Sequence, residues 1–345
     1  VEHAYKFRIY PSAEQQRLIE RTFGCCRYVY NHYLEQRTRA YRETGRAPTR
    51  FEQERDLTLL KRQEATLWLS EADVTALQSA IKDLDTAFQG FFRRVKNGER
   101  LGYPHFKSKR SPRQSYKSKR SGTNIKLLDG AVQLPKLGKV KCRVSKAVEG
   151  RILSATVSRN HTGKYFVSIC CTDVVHQPLD KTGAAVGIAA GVDAFAVSSD
   201  AATYAYPDSL GRSYKKFARL KKSLSRKSRG SNNQRKAKAK AERMFERITN
   251  QRADMLSKLS TELLRSYDLI CIESSPSGIT REHSKALDAD WRELRQKLRY
   301  KADWYGKRVV EVDASLLPLR ELSAAQDQSS GAAATILNEG LRLLA

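Results

Sequence analysis

Three things are scarce in this chain, and each scarcity excludes a class. No CxxC pair occurs among the six cysteines, Cys25, Cys26, Cys142, Cys170, Cys171 and Cys271, so no zinc ribbon is encoded. The adjacent pairs Cys25–Cys26 and Cys170–Cys171 read instead as small buried residues of a reducing cytoplasm. No apolar run approaches the roughly 20 residues of a membrane span. The first residues, VEHAYKFRIYPS, hold no secretory apolar region. The histidines are scattered, and none reads as a metal ligand. Acidic residues are the third shortage: 37 Asp and Glu stand against 64 Lys and Arg, a formal net charge of +27 and a pI of about 10.0. A charge that large resists compaction until a polyanion neutralises it. Nucleic acid is the partner this implies.

What is present is enough apolar material, 40% of 345 residues, for two or three folded domains. Residues 4–10 alternate and predict a strand ended by Pro11. Helical spacing follows over 12–45, with Ser12 and Gln15 placed as a capping box, then over about 49–64 and 70–96. In the last block Val74, Leu77, Ile81, Leu84, Phe88 and Phe91 form one apolar stripe, which reads as packing between helices. After Gly102 come short strands with close turns, the pattern of a small barrel that the opening strand joins across the helical insertion. From about Ala184 strands alternate with helices: 184–199, 267–274, 287–306 and 308–313, then an amphipathic tail over 332–345. The class expected is α+β and multidomain.

Two basic stretches stand out. Residues 107–120 carry Lys107, Lys109, Arg110, Arg113, Lys117, Lys119 and Arg120 with no acid, and Tyr116 among them either stacks on a base or packs on the barrel. Between Arg212 and Arg252, 16 Lys and Arg face two acids, Glu242 and Glu246. A solvated helix face normally mixes signs. This one does not, and it reads as a surface that tracks phosphates.

Several segments, in one order over nearly the whole chain, resemble the TnpB family of RNA-guided nucleases carried by insertion sequences, relatives of the type V CRISPR effectors. FRIYPSAEQQRLIERTFGCCRYVYNHYL is similar to the family's N-terminal strand and first helix. LTLLK, WLS and ALQSAIKDLDTAFQGFFR look like its helical recognition lobe; GYPHFKSKR and VQLPKLGKVK look like its wedge barrel. GIAAGVDAFAV, ICIESS and WRELRQKLRYKADWYGKRVVEVD resemble its RuvC-type, RNase-H-like nuclease domain. The resemblance implies a wedge β-barrel over 1–11 and 103–182, a recognition lobe over 12–102 and a degenerate RuvC-like domain over 183–345.

The departures are specific. Where the family's GIDxG strand places its first catalytic aspartate, this chain has Ala189. Glu273 matches the catalytic glutamate, and Ser329 stands where the third carboxylate precedes the last helix. The zinc ribbon that the family inserts before that helix is replaced by SLLPLRELSAAQDQS. Two-metal hydrolysis needs carboxylates converging on Mg²⁺ ions roughly 4 Å apart, so one glutamate implies a vestigial site. A displaced site from Asp193, Glu273 and Asp313, with Glu311 preceding Asp313 on the same face, is the alternative. The expectation is therefore no enzyme and no catalytic Mg²⁺ or structural zinc, but an RNA-guided, sequence-specific DNA-binding protein that represses transcription by R-loop formation. An RNA-guided endonuclease with a relocated metal site and a transposon RNA-binding scaffold remain alternatives.

The resemblance also assigns roles. The target-adjacent motif would be read around Arg50, Glu54, Val74, Thr75, Gln78, Ser121 and Gly122, with Gln78 suited to adenine and Arg50 to guanine or phosphate. The basic residues of 107–120 would hold guide RNA or duplex phosphates. Lys215, Lys216, Arg219, Lys221, Lys222, Arg226, Lys227 and Arg229 would line the heteroduplex channel. Guide RNA and double-stranded target DNA are the expected partners, one protein per guide RNA, in a bacterial cytoplasm.

Overall fold

The computed structural model describes residues 2–100, 102–191, 194–275, 284–313 and 329–344. The chain forms two compact units, Val1–Val175 and His176–Ala345.

In the first unit β1 (His3–Tyr10) passes through Pro11 into α1 (Ala13–Thr44). The predicted capping box forms: the Ser12 hydroxyl accepts the Gln15 N–H at 3.2 Å, and the Gln15 side-chain carbonyl accepts the Ser12 N–H at 3.0 Å. The Gln15 amide nitrogen also donates to the carbonyls of Leu137 and Lys139, at 3.1 and 2.9 Å, so the cap pins helix to sheet. Gly45, at φ 71°, ends α1 in the left-handed conformation. Then come α2 (Arg50–Leu60), a 3-10 segment (Glu64–Glu71) and α3 (Val74–Lys96). The expected stripe on α3 is buried from Leu77 to Phe88, but Val74 at its start is exposed.

The strands of this unit are β1, β2 (Gln114–Lys119), β3 (Lys126–Leu128), β4 (Ala131–Leu134), β5 (Gly138–Arg143), β6 (Arg151–Arg159) and β7 (Tyr165–Thr172). They form one antiparallel sheet in the order β2-β6-β7-β1-β5-β4-β3. β1 does join across the helical insertion, between β7 and β5. The expected closed barrel, however, is corrected to an open sheet: β2 and β3 are its edges and do not pair with each other. Closure needs a hydrogen-bonded seam, and three-residue β3 is spent on β4. Tyr5, Phe7, Ile9, Val157, Val167 and Ile169 of the inner face share a core with Ile19, Phe23 and Val29 of α1 and Leu77 and Ile81 of α3.

The second unit runs β8 (Ala185–Ala190), β9 (Ala196–Ser198), β10 (Thr203–Tyr204), α4 (Asp208–Ser225), α5 (Asn232–Ser266), β11 (Leu269–Glu273), α6 (Ser284–Tyr305), β12 (Arg308–Val312) and α7 (Ser329–Arg342). The sheet order is β10-β9-β8-β11-β12. β8, β9 and β10 are successively antiparallel, while β11 and β12 run parallel to β8. The single strand expected over 184–199 is thus two: β8 ends at Ala190 and β9 returns beside it, Ala189 opposite Val197.

One face of this sheet, with Val186, Ile188, Ile270 and Ile272, packs on Leu256 and Leu263 of α5 and on Trp291, Leu294 and Leu298 of α6. The other face, with Ala189, Cys271 and Val312, lies under Ala333 and Ile336 of α7. Two glycines permit that approach. A Cβ at Gly187 would fall on the Ala333 carbonyl oxygen, and one at Gly340 on the Cys271 sulfur. At the other end of the strands the Asp268 carboxylate accepts Lys307 Nζ at 2.5 Å and the N–H groups of Thr182 and Gly183 at 3.0 and 2.7 Å. Those donors, Lys307 first, hold its carboxyl below the usual carboxylate range. No helix among the described residues is long and apolar enough to cross a membrane.

Candidate functional site

The strand pattern decides which carboxylates meet. β8 and β11 are in register, Ile188 beside Ile272 and Gly187 beside Cys271, so Ala189 and Glu273 occupy the next row, and Glu273 pairs on its other side with Val312. All three residues are buried. Ala189 contributes its methyl group to the apolar layer with Cys271, Val312, Ala333 and Ile336. The Glu273 carboxylate accepts the Ala190 N–H at 3.3 Å, and its backbone carbonyl accepts the Trp291 indole N–H at 2.8 Å. Ser329 is the first residue of α7, the helix laid over this row.

The displaced site is not assembled among the described residues. Asp193 lies outside them, and the spacing that placed it on Ala189's face does not apply once β8 stops at Ala190. Asp313 is exposed just past β12. Glu311 alternates to the side opposite Val312 and is ion-paired with Arg295 at 2.8 Å and Arg299 at 2.6 Å, which removes it from this row. No three His, Cys, Asp or Glu side chains gather as metal ligands among the described residues. The described residues therefore do not fit a pair of Mg²⁺ ions, which need several anionic oxygens at once. Glu282, Glu321 and Asp327 lie, like Asp193, outside the described residues.

The residues assigned to the target-adjacent motif fall into two groups. Glu54, Val74 and Gln78 come together, lining a cavity of about 330 Å³ with Thr58, Lys61 and Arg62. Arg50, at the start of α2, is ion-paired with Glu54 at 3.2 Å and lies 4.6 Å from the Phe51 ring. Thr58, Lys61 and Arg62 escaped the sequence reading. Their signal was the i, i+4 step from Glu54 to Thr58 and the adjacent cations at the end of α2. Thr75 is a joint: its hydroxyl donates to Asp73 at 2.5 Å and accepts the Lys119 N–H at 3.0 Å, tying the end of β2 to α3. Ser121 and Gly122 are exposed in the following turn, where the Ser121 N–H donates to Asn124 at 2.8 Å.

The basic stretches differ in what holds them. Lys107 is engaged within the fold, its Nζ 4.0 Å from the Tyr30 ring and 3.8 Å from Asp83. Lys109, Arg110, Arg113, Lys117, Lys119 and Arg120 are exposed. Tyr116 is not presented to solvent: it is 6% exposed and meets Phe23 edge-on with ring centres 5.8 Å apart. Base stacking by Tyr116 is corrected to core packing, because the alternation of β2 turns it inward. On α4, Lys215, Lys216, Arg219, Lys221 and Lys222 are exposed, as are Arg226, Lys227 and Arg229 before α5. α4 is held against α5 in part by Phe217 and Phe245, with ring centres 5.6 Å apart.

Comparison with known proteins places this arrangement. Residues 1–46 match an OrfB/IS605 profile described as a helix-turn-helix domain, and residues 168–274 match one described as a probable transposase. In the structure α1 runs unbroken over Ala13–Thr44, so the first span holds a strand and one long helix. A protein of Streptomyces pristinaespiralis is 37% identical over 320 residues, 91% of this chain and 78% of its own length. InsQ of Escherichia coli K12 is 31% identical over 328 residues, 90% of this chain and 80% of its own. Both carry the name "Putative RNA-guided DNA endonuclease". Among solved structures, a chain of the Cas12f1–sgRNA–target DNA complex superposes with a TM-score of 0.61 at 12% identity, covering 97% of this chain and 98% of that one, a likeness of fold.

These relatives overturn one expectation. The reading of Ala189 and Ser329 as the mark of a chain that is no enzyme conflicts with relatives named as nucleases over nine-tenths of its length. The alignment of curated relatives at this identity and coverage, together with the OrfB/IS605 profiles, shows that the chain belongs to the TnpB/IS605 OrfB family.

Proposed function

We propose that this chain binds a guide RNA and uses its base pairing to engage double-stranded DNA beside a short motif. The observation that carries the reading is α4 with the turn after it, where Lys215, Lys216, Arg219, Lys221, Lys222, Arg226, Lys227 and Arg229 are all exposed. Exposed cations with no acid among them, spread over more than one face of α4 and into the turn after it, are what a phosphate backbone requires. The relatives' name and the RNA and DNA in the Cas12f1 complex support the same partners.

In this reading the first unit divides into a wedge sheet, 1–11 and 103–182, and a recognition lobe, 12–102. The cavity at Glu54, Val74 and Gln78 faces the motif. Residues 183–345 are a RuvC-like domain; five strands with the first three antiparallel and the last two parallel to the first support that assignment. One protein takes one guide RNA, no structural zinc is needed, and the complex works in the cytoplasm on the nucleoid. A bound R-loop in a promoter occludes RNA polymerase. DNA cleavage, the activity in the relatives' name, is the second reading.

The test is one assay. The protein is purified with co-expressed RNA and given matched and mismatched duplexes with and without Mg²⁺, beside Glu273→Gln. Binding of the matched duplex at least about a hundredfold over the mismatched one supports guided recognition, and equal binding of both overturns it. Matched-duplex cleavage that Glu273→Gln abolishes assigns chemistry to the end of β11.

A further inference from the structure

The last turns of α1 and the second half of α3 leave an apolar groove between them. Five rings line it, Tyr41 of α1, Phe88, Phe91 and Phe92 of α3, and Tyr103 beyond α3, around a cavity of about 710 Å³. Phe88 is buried, while Tyr41, Phe92 and Tyr103 are exposed. The rings hold one another. Tyr103 stands edge-on to Phe88 and Phe91, with ring centres 5.6 and 5.3 Å apart, and its hydroxyl lies 2.9 Å from that of Thr38. Along α3 the lining runs from Asp85 to Phe92, two helical turns or about 10 Å.

The charged groups of the lining leave one sign exposed. Arg37 is engaged within the fold: its Nη2 pairs with Asp85 at 3.0 Å, its Nε donates to the Pro48 carbonyl at 2.9 Å, and its guanidinium lies 5.0 Å from the Phe88 ring centre. Asp85 also accepts the Gln89 amide at 2.9 Å. Arg42 remains as the exposed charge of the lining, and Arg93 and Lys96, both exposed, follow Phe92 in the last turn of α3. Contiguous exposed rings on a folded chain mark a docking site, and the cations beside these rings select an acidic occupant. A second copy of this chain would bring a formal net charge of +27 to the same cations and be repelled. Bases stack on free ring faces, whereas Phe88, Phe91 and Tyr103 take up one another's faces and edges and leave an apolar trough.

We propose that this groove docks an acidic amphipathic helix of a partner protein. Apolar side chains at i, i+4 and i+7 of that helix fill the space between the rings, the spacing that two turns of α3 accept. An Asp or Glu on the flank of the same helix meets Arg42. The assignment adds a protein to the partners of the chain and is independent of guide RNA and target DNA.

The experiment selects a display library of helical peptides on the full-length protein with its co-purified RNA, then measures one selected peptide, fluorescein-labelled, by anisotropy. The selected peptides are expected to carry apolar residues at i, i+4 and i+7 with Asp or Glu beside them. Phe92→Ser and Arg42→Glu change exposed positions and should keep the melting temperature of the unmodified protein. The first weakens the peptide about tenfold or more and the second about fivefold or more. No enriched peptide, a selected set rich in Lys and Arg, or equal binding to all three proteins overturns the docking site. Peptide binding that emerges only after the RNA is removed gives the groove to RNA and overturns it. A concentration-dependent dimer of the unmodified protein that Phe92→Ser abolishes gives the groove to a second copy and overturns it as well.

Discussion

Trp291 donates its indole N–H to the Glu273 carbonyl at 2.8 Å, which couples the first turns of α6 to the last residue of β11. Trp291 is fully buried beside Phe195, with ring centres 5.6 Å apart. Trp291→Phe keeps an aromatic core but loses this hydrogen bond, so a loss of about 0.5–1.5 kcal/mol is expected. Trp291→Ala adds a cavity and is expected to cost about 3–5 kcal/mol. Urea unfolding of the two variants checks the order.

The Asp268 latch sets a pH dependence. Its carboxyl is held below the usual range by Lys307 and the Thr182 and Gly183 N–H groups. A depressed folded pKa stabilises above the unfolded value of about 4, and that contribution is lost as pH falls through the depressed value. Asp268→Asn should therefore melt below the unmodified protein at neutral pH, and the gap should close as pH drops from about 4. A gap independent of pH would exclude the charged form as its source.

Gly340 and Cys271 form a tight contact that a double-mutant cycle resolves. Gly340→Ala drives its methyl group onto the Cys271 sulfur, and overpacking of this kind costs about 1–3 kcal/mol. Cys271→Ala removes the sulfur but keeps a Cβ 2.7 Å from the new methyl group, so it relieves the clash in part, and the pair of substitutions together should cost less than their separate costs added. Thermal melts of the four proteins measure the coupling.

Tyr116 separates packing from recognition. Tyr116→Ala should cost about 3–5 kcal/mol, as for other large aromatic truncations in a core. Tyr116→Phe should be nearly neutral in both stability and RNA affinity. An RNA defect in the phenylalanine variant at full stability would return Tyr116 to the nucleic-acid surface.

Local order was readable where a short rule governs it. Ser12 and Gln15 announced the start of α1, and the spacing of Leu77, Ile81, Leu84 and Phe88 announced the buried face of α3. The reversal after Ala190 was not readable, because AAVGIAAGVDAFAVSS is apolar on both sides of the turn and gives no alternation to break. The opposite facing of Glu311 and Val312 follows from β alternation, yet the ion pairs of Glu311 to Arg295 and Arg299 depend on where α6 lies. Proximity of Glu54 to Gln78, or of Arg8 to Arg143, is set by helix packing and strand register across long stretches of chain. A linear charge count misses it, since Arg8 lies far along the chain from the basic stretch 136–146 that carries Arg143.

An open sheet offers its unpaired edges to any other strand. Here β3 spans only Lys126–Leu128, while β2, the other edge, carries Lys117 and Lys119 exposed. Edge lysines repel a second copy's edge and blunt strand addition. Exposed Lys117 and Lys119 thus oppose addition of a second strand at this edge. Replacing Lys117 and Lys119 with threonine should leave the fold intact and raise the concentration-dependent aggregate seen by light scattering, which would tie solubility to these two side chains.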